Sequence, residues 1–202
     1  VRRKISKKSK EIFLVKQTHS NKFLFLSKNT KIKNRSIAAD AIITDKKDFP
    51  IAVLTADCVP ILLFDKKRKM IAVIHAGWRG AFKGVISKVI NFMLKNGCDR
   101  KDITAAIGPS IAQKNYNVKL DFKNKFIKKH KKNKIFFKNR NKLIYFDLPN
   151  YIKSQLKFNK ISKIDMINID TYDKKNNFFS ARRSLRSKHD DYGRNISIIM
   201  IN

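Results

Sequence analysis

Short apolar runs of strand length recur along the chain, and this pattern constrains the fold more than any other feature. The runs are bounded by polar turns or by turns with glycine or proline, and they cover residues 51–55, 59–64, 70–74, 103–107, 164–169 and 196–201. Such runs are typical of buried β-strands, and we expect the first three to belong to a central sheet. None approaches the roughly 20 apolar residues that a membrane-spanning helix needs. The pattern therefore predicts no membrane segment.

Two segments have helical periodicity instead. Between residues 82 and 94, apolar side chains recur at intervals of three and four until Asn96 and Gly97 end the pattern. A second helix is predicted over residues 147–158, with Pro149 in its first turn, and residues 119–130 are a further helical candidate. Strands mixed with helices predict an α/β fold (α+β), and 202 residues suit a single domain over residues 1–202.

The chain is strongly basic, with 47 Lys and Arg against 15 Asp and Glu and a formal net charge of +32. Such an excess gains affinity for polyanions through counterion release, so a basic, non-enzymatic nucleic-acid-binding protein is one hypothesis. The excess is mostly Lys, spread over the whole chain and mixed with Asn, Ile and Phe, as A- and T-rich codons would produce. We therefore favour genome composition over nucleic acid as the cause, and a solvated surface insertion for the densest basic run, residues 123–142.

The two cysteines, Cys58 and Cys98, provide no disulfide framework. Residues 1–8 are basic but are not followed by the apolar stretch of a secretory signal. Together these features predict a cytoplasmic protein. Cys98 follows a helix-ending glycine and is predicted to be structural, and His130 and His189 are predicted to be surface residues.

Three side chains of the type that binds zinc are placed at the edges of predicted strands: His19, Cys58 and His75. Two imidazoles and a thiolate suit Zn²⁺, and three protein ligands leave a fourth position for water or substrate, as in catalytic sites. The chain has no short Cys-x-x-Cys or His-Glu-x-x-His signature. Residue types alone therefore leave two alternatives open, a metal site or ordinary core and surface residues.

Two charged residues adjoin the candidate ligands. Arg79 follows at a glycine-flanked turn, where a guanidinium and free N–H groups could bind phosphate. The alternative is a salt bridge from Arg79 to Asp57 or Asp40. Asp57 could act as a general base or orient a histidine, and its alternative is an acceptor that caps the loop.

Three further residues have two possible roles each. Trp78 could stack on a purine, although a packing role is the simpler interpretation. Arg182 and Arg183 could bind an anion, or they could form the solvated face of a late strand.

Five sequence blocks resemble the polyphenol oxidoreductase laccase-domain family, whose members are now regarded as purine nucleoside phosphorylases. The blocks cover residues 16–19, 39–45, 54–62, 75–80 and 106–111, and the similarity continues through 170–172, 178–183 and 193–194. The most specific are Thr-Ala-Asp-Cys at 55–58 and His-Ala-Gly-Trp-Arg-Gly at 75–80. The resemblance runs from about residue 12 to the C-terminus.

The resemblance implies an α/β/β/α sandwich in which His19, Cys58 and His75 are the metal ligands. It implies a zinc-dependent phosphorylase whose substrates are phosphate and the purine nucleosides adenosine, inosine and guanosine. Adenosine deaminase and S-methyl-5′-thioadenosine phosphorylase activities are also expected from it, with Arg79 and Asp57 as further site residues. The runner-up is a laccase-like polyphenol oxidase with copper as the metal.

The chain departs from the family pattern in two places. Relatives usually carry a further segment before the block that contains His19, so we expect a fragment or a truncated product that lacks part of the substrate pocket. Several family cysteines are also replaced, by Ser110, Asn115, Asp170 and Asp173. Thiolates are the natural ligands of copper(I), so these replacements do not favour a multi-copper site.

Overall fold

The computed structural model describes residues 11–27, 30, 32–189 and 192–202. The basic start, residues 1–8, on which the absence of a secretory signal was predicted, lies outside them. The described strands are β1 Phe23–Leu26, β2 Ala41–Thr44, β3 Ile51–Thr55, β4 Val59–Asp65, β5 Met70–Ala76, β6 Ile103–Ile107, β7 Asn117–Val118, β8 Phe137–Arg140, β9 Leu143–Phe146, β10 Lys163–Met166 and β11 Asn195–Ile199. The helices are α1 Trp78–Phe82, α2 Val85–Lys95, α3 Leu120–Lys129, α4 Leu148–Phe158 and α5 Ala181–Arg186, with 3₁₀ turns at Gln113–Asn115, Lys131–Phe136 and Lys174–Asn176.

Six strands form the main sheet in the order β1-β2-β5-β4-β6-β10. The outer pairs β1–β2 and β6–β10 are parallel, and the inner pairs are antiparallel. All seven residues of β5 are buried, which is why this stretch reads as a continuous apolar run rather than an alternating one. The predicted strands at 59–64, 70–74 and 103–107 are confirmed in this sheet, whereas the four-residue strands β1 and β2 were not predicted.

The prediction that residues 51–55 belong to the central sheet is wrong. The stretch is a strand, but it pairs antiparallel with β11 in a separate two-stranded sheet, with Ile51 opposite Ile199. An apolar run indicates that a strand is buried and leaves its partner undetermined. The turn at residues 56–58 carries the chain from this small sheet into β4 of the main one.

Helices cover one face of the main sheet, and the small sheet covers the other. Helix α2 follows Gly84, which has a left-handed φ of 84°, and buries Val85, Ile86, Val89, Ile90 and Met93. Helix α4 begins after Asp147, whose carboxylate accepts from the Asn150 N–H, and both predicted helices are confirmed. The helix, large-sheet and small-sheet layers of the expected sandwich thus follow one another, and the predicted mixed α/β class is confirmed.

The Lys-rich region does not form the solvated insertion that was predicted. Its lysines are mostly exposed, but Phe126 and Phe136 are buried against Phe146 and Tyr151 in the core between α3, α4 and β9. A single amphipathic segment can present lysines to water and aromatic rings to a core. The predicted helix at 119–130 is confirmed as α3.

None of the helices in the described parts of the chain has both the length and the apolar character that crossing a bilayer would require.

Candidate metal centre

The three predicted ligands meet in space. His19 lies in the loop before β1, Cys58 in the turn before β4, and His75 near the end of β5. Their ligand atoms all lie within 4.8 Å of one another, and Cys58 Sγ is 3.7 Å from His19 Nε2. His19 is exposed, Cys58 is partly exposed and His75 is buried, so the trio opens toward solvent on one side.

The donor set fits a zinc ion. Sulfur and nitrogen ligands of tetrahedral zinc, at bond lengths of about 2.3 and 2.0 Å, are separated by about 3.6 Å, close to the observed 3.7 Å. The His75 Nδ1 atom is 2.8 Å from an Asp40 carboxylate oxygen, which leaves Nε2 as its ligand atom. Two imidazoles and one thiol leave one tetrahedral position for a substrate oxygen or water.

Asp40 anchors both histidines. This fully buried carboxylate accepts from the main-chain N–H of His19 at 2.9 Å and pairs with the ring of His75. It also accepts from the N–H and hydroxyl of Ser20 and the N–H of Thr18. The sequence analysis considered Asp40 only as a partner for Arg79. The signal for its role was an isolated carboxylate at the start of an apolar, fully buried strand, where an acidic residue needs several hydrogen bonds.

The pKa values of these groups follow from their contacts. Burial alone would raise the pKa of Asp40, but hydrogen bonds from His75 and Ser20 lower it to about 2. Burial also opposes ionisation of Cys58, yet the two histidines bring the pKa of its thiol down to about 6. Burial would lower the pKa of His75, whereas Asp40 and Cys58 raise it to about 9. The trio therefore favours a thiolate beside a charged imidazole before a metal displaces the proton.

The backbone holds the ligands in unusual conformations. His19 has a φ of 56° and Asp57 a φ of 80°, both in the left-handed region that L-residues seldom adopt. Gln17 fixes the His19 loop, because its side-chain amide bonds both the N–H and the C=O of Leu54 on β3. Gly77 closes the site from below, since a Cβ there would lie 2.7 Å from the His19 ring and 3.0 Å from Cys58 Sγ.

Asp57 is turned away from the histidines. Its carboxylate accepts from the Thr171 hydroxyl at 2.8 Å and from the main-chain N–H of Arg182 at 2.6 Å, and its C=O accepts from Ile111. It therefore ties the turn that holds Cys58 to two distant segments. This arrangement corresponds to the predicted alternative of a loop-capping acceptor, and Asp40 is the carboxylate that contacts the imidazole.

Arg79 is exposed in the first turn of α1, and in the described part of the chain it makes no ion pair with Asp57 or Asp40. Its guanidinium carbon lies 5.3 Å from the centre of the Trp78 ring. Trp78 packs edge-on against Phe122 and is only partly buried. Both residues therefore sit beside the ligands, with Arg79 available to an anion.

The two late arginines lie on helix α5 and not on a strand, which corrects that prediction. Arg183 uses its guanidinium to bind the main-chain oxygens of Thr171, Tyr172 and Phe178, so it holds the loop before the helix. Arg182 instead donates to Asn117. The sequence pattern could not separate the two roles, because adjacent helical residues point in different directions.

Two concave surfaces adjoin the ligands. The first, which we call the metal pocket, has a volume of about 350 Å³ and is lined by His19, Cys58 and His75 together with Gln17, Arg35, Tyr192 and Arg194. The second, the aromatic cleft, has a volume of about 780 Å³ and includes Trp78, Tyr116, Phe122, Lys119, Lys142 and Arg182. Tyr116, Tyr192 and Arg194 were not singled out from the sequence, since single aromatic or basic residues carry no distinctive spacing.

The positions where the family resemblance expects cysteines form a hydrogen-bonded junction here. Asp170 accepts from the Asn115 side chain at 2.7 Å and from the N–H groups of Ala112 and Tyr172, and Ser110 forms a β-bridge with it. Asp173 accepts from the N–H of Lys175 at the start of a 3₁₀ turn. These carboxylates and amides are used in local structure.

The remaining predictions concern residues away from the site. Cys98 is buried, with its sulfur 3.8 Å from that of Met70, as expected for a structural thiol. His130 and His189 are both exposed, which agrees with their prediction as surface residues.

Comparison with known proteins agrees with this architecture. A family model described as multi-copper polyphenol oxidoreductase laccase matches residues 1–202. A purine nucleoside phosphorylase of Rickettsia prowazekii is 34% identical over 179 residues, which cover 88% of this chain and 72% of that protein. One of Bacteroides thetaiotaomicron is 31% identical over 203 residues, covering 95% of this chain and 73% of its own length.

Solved structures show the same fold. The Bacillus licheniformis protein YfiH superposes with a TM-score of 0.83 at 25% identity, over 95% of this chain and 74% of that one. YlmD of Geobacillus stearothermophilus gives a TM-score of 0.81 at 22% identity, over 95% and 73% of the two chains, which speaks to the fold alone. The chain therefore belongs to the multi-copper polyphenol oxidoreductase laccase family.

Proposed function

We propose that this chain is a zinc-dependent purine nucleoside phosphorylase. One observation carries the proposal: the ligand atoms of His19, Cys58 and His75 lie within 4.8 Å of one another beside an open pocket. The relatives named purine nucleoside phosphorylase provide the substrate class, a nucleoside and phosphate. The two free thiols favour a reducing compartment, and we propose the cytoplasm.

The proposed reaction forms a bond between a phosphate oxygen and C1′ of the ribose and breaks the bond from C1′ to the purine nitrogen. Bound zinc supplies a Lewis acid that can polarise or orient an oxygen of the substrate. Asp40 keeps the proton of His75 on Nδ1 and so directs Nε2 into the site. Asp57 positions the Cys58 turn through Thr171 and Arg182.

The metal pocket has the features that a nucleoside requires. The ring of Tyr192, with the guanidinium carbon of Arg194 4.0 Å from its centre, offers a flat surface on which a purine can stack. Arg79 adds an exposed cation at the glycine-flanked turn near His75. Phosphate carries negative charge, so a cation at this position favours its entry.

We infer adenosine, inosine and guanosine as substrates, and S-methyl-5′-thioadenosine as a further one. Attack by water on the adenine ring in place of phosphate on the ribose would give adenosine deaminase activity at the same metal. These extensions rest on the open fourth position and on a pocket large enough to admit a nucleoside.

The test is a phosphate-dependent base-release assay on the zinc-loaded protein. With adenosine and phosphate, the expected products are adenine and ribose 1-phosphate. Cys58→Ala should abolish turnover and zinc binding together, and the matched control Cys98→Ala should retain both, because Cys98 is buried away from the trio. Turnover in Cys58→Ala equal to that of the unaltered protein would contradict the proposal.

A second candidate is a copper-dependent polyphenol oxidase. The description of the family model and the Cys and His ligands favour it. Oxidation of a phenol with full reduction of oxygen to water transfers four electrons, so it calls for several coppers. Stoichiometric copper in the purified protein, with oxygen uptake on phenols and no release of base, would rank this activity first.

A further inference from the structure

Two arginines of helix α5 converge on one neutral acceptor beside the aromatic cleft. Arg182 donates from Nη1 to the Asn117 side-chain oxygen at 2.7 Å and to the Asn117 main-chain oxygen at 3.0 Å. Arg186 donates from Nη2 to the same side-chain oxygen at 2.8 Å. Two positive guanidinium groups are therefore held side by side at a single amide.

No carboxylate neutralises this pair among the residues that the structure describes. The nearest acidic contact is Asp57, but its carboxylate takes the main-chain N–H of Arg182 and the hydroxyl of Thr171. Asp121 lines the same cleft from the exposed start of α3. Adjacent like charges repel, and a bound anion would remove that repulsion.

Both guanidinium groups are also held against aromatic rings. The Arg182 carbon lies 5.2 Å from the centre of the Tyr116 ring, and the Arg186 carbon lies 5.2 Å from that of Tyr172, whose hydroxyl accepts from Arg186 at 2.9 Å. Stacking of this kind restricts a guanidinium before any ligand arrives. An arginine that is already oriented loses less entropy when its planar set of N–H donors binds two oxygens of a phosphate.

The pair is linked to the metal centre by two short paths. The main-chain N–H of Arg182 is bound by Asp57, which directly precedes the ligand Cys58. Arg182 also lines the aromatic cleft with Trp78, which directly follows Gly77 beneath the trio.

We propose that Arg182 and Arg186 form the phosphate subsite of this enzyme, at the edge of the aromatic cleft. The inference rests on the proposed phosphorolysis for the identity of its anion. Arg183 is excluded from the subsite, because it is occupied by three main-chain oxygens.

Direct titration of the zinc-loaded protein with inorganic phosphate tests the subsite without any turnover. The variants are Arg182→Gln, Arg186→Gln and the double substitution, with Arg100→Gln as the matched control. Arg100 is an exposed arginine before β6, whereas the cleft follows the other end of that strand. Each single substitution should weaken phosphate binding roughly 10- to 100-fold, the double one more, and the control by less than about twofold.

Steady-state kinetics give a second readout. The KM for phosphate should rise in the two arginine variants, while zinc content stays constant and the KM for adenosine changes little. Arg186→Gln alters an exposed side chain, so it keeps the test valid if the half-buried Arg182 variant folds poorly.

The outcomes separate the subsite from the proposed function. Phosphate binding that is lost in the variants of a protein with no phosphorolysis supports the subsite and refutes the function. Normal phosphate affinity in the double variant of an active enzyme overturns the subsite and leaves the function intact. Loss of phosphate binding in Arg79→Gln alone, with both α5 variants binding normally, would also overturn it.

Discussion

Asp40 has no exposed surface, and its two carboxylate oxygens receive the N–H groups of the His19 loop and the ring of His75. A single carboxylate thus fixes two ligands that are far apart in the chain. The main-chain N–H of His75 also donates to the Asp40 oxygen at 2.7 Å. The position and the tautomer of the metal-binding imidazole both depend on this residue.

We predict that Asp40→Asn weakens zinc binding by about 10- to 100-fold. An amide places a donor where the carboxylate accepted from several N–H groups, so the His19 loop and the His75 ring lose their common acceptor. Competition with a zinc chelator measures the affinity, and circular dichroism checks the fold. Asp165→Asn, an exposed residue of β10, is the control and should bind zinc normally; equal affinities in the two variants would contradict the role.

Cys98 gives a pH-dependent prediction remote from the metal. Burial, reinforced by the Asp65 carboxylate, raises the pKa of its thiol from 9.0 to about 12. A raised pKa in the folded protein stabilises the fold below pH 9, and this contribution is lost as the pH rises from 9 to 12.

The free energy of unfolding should therefore fall more steeply above pH 9 in the unaltered protein than in Cys98→Ala. Urea unfolding at several pH values between 8 and 11 measures both slopes. A difference between the two proteins that is independent of pH would contradict the raised pKa.

At the scale of elements, the turn from β5 into α1 brings the backbone against two ligands. Gly77 has an ordinary φ of −70°, so its importance lies in the lack of a side chain and not in its backbone conformation. Gly84, before α2, is the opposite case. Its φ is 84°, and a Cβ there would meet nothing within 4 Å.

Alanine substitution of these two glycines should separate the two effects. Gly77→Ala places a Cβ against His19 and Cys58 and is expected to abolish zinc binding. Gly84→Ala should keep zinc binding and lower the free energy of unfolding by about 1–2 kcal/mol, because an L-residue is strained at this φ. Zinc titration and thermal unfolding measure the two quantities, and normal zinc affinity in Gly77→Ala would refute the steric argument.

At the scale of the whole molecule, the ligands join separate layers. His75 belongs to the main sheet, Cys58 follows the small sheet, and the His19 loop is tied to both through Asp40 and Gln17. A bound metal would link these parts. Within the described residues the ion pairs are few, three in number, so they do little to offset the net charge of +32.

We expect zinc at 100 times its dissociation constant to stabilise the protein by about 2.7 kcal/mol, and to raise the unfolding temperature by roughly 5–10 °C. Scanning calorimetry with zinc and with a chelator measures the shift. Cys58→Ala should unfold at the same temperature in both conditions. A shift that persists in this variant would mean that zinc stabilises the protein from another site.

The sequence by itself determined the secondary-structure elements with the strongest periodicity. The apolar runs of β4, β5 and β6 and the pattern of α2 are local properties, because side-chain spacing follows backbone geometry. The blocks around His19, Cys58 and His75 also determined the family and the candidate ligands. These predictions needed no knowledge of which segments are neighbours.

Only the tertiary structure decided which strands pair and which polar groups meet. It placed β3 with β11, turned Asp57 toward Thr171 and gave Asp40 to the two histidines. It also separated Arg182, free to face the cleft, from Arg183, bound to carbonyl oxygens. The physical reason is that pairing and hydrogen bonding join residues tens of positions apart, whereas periodicity reports only whether a segment is buried.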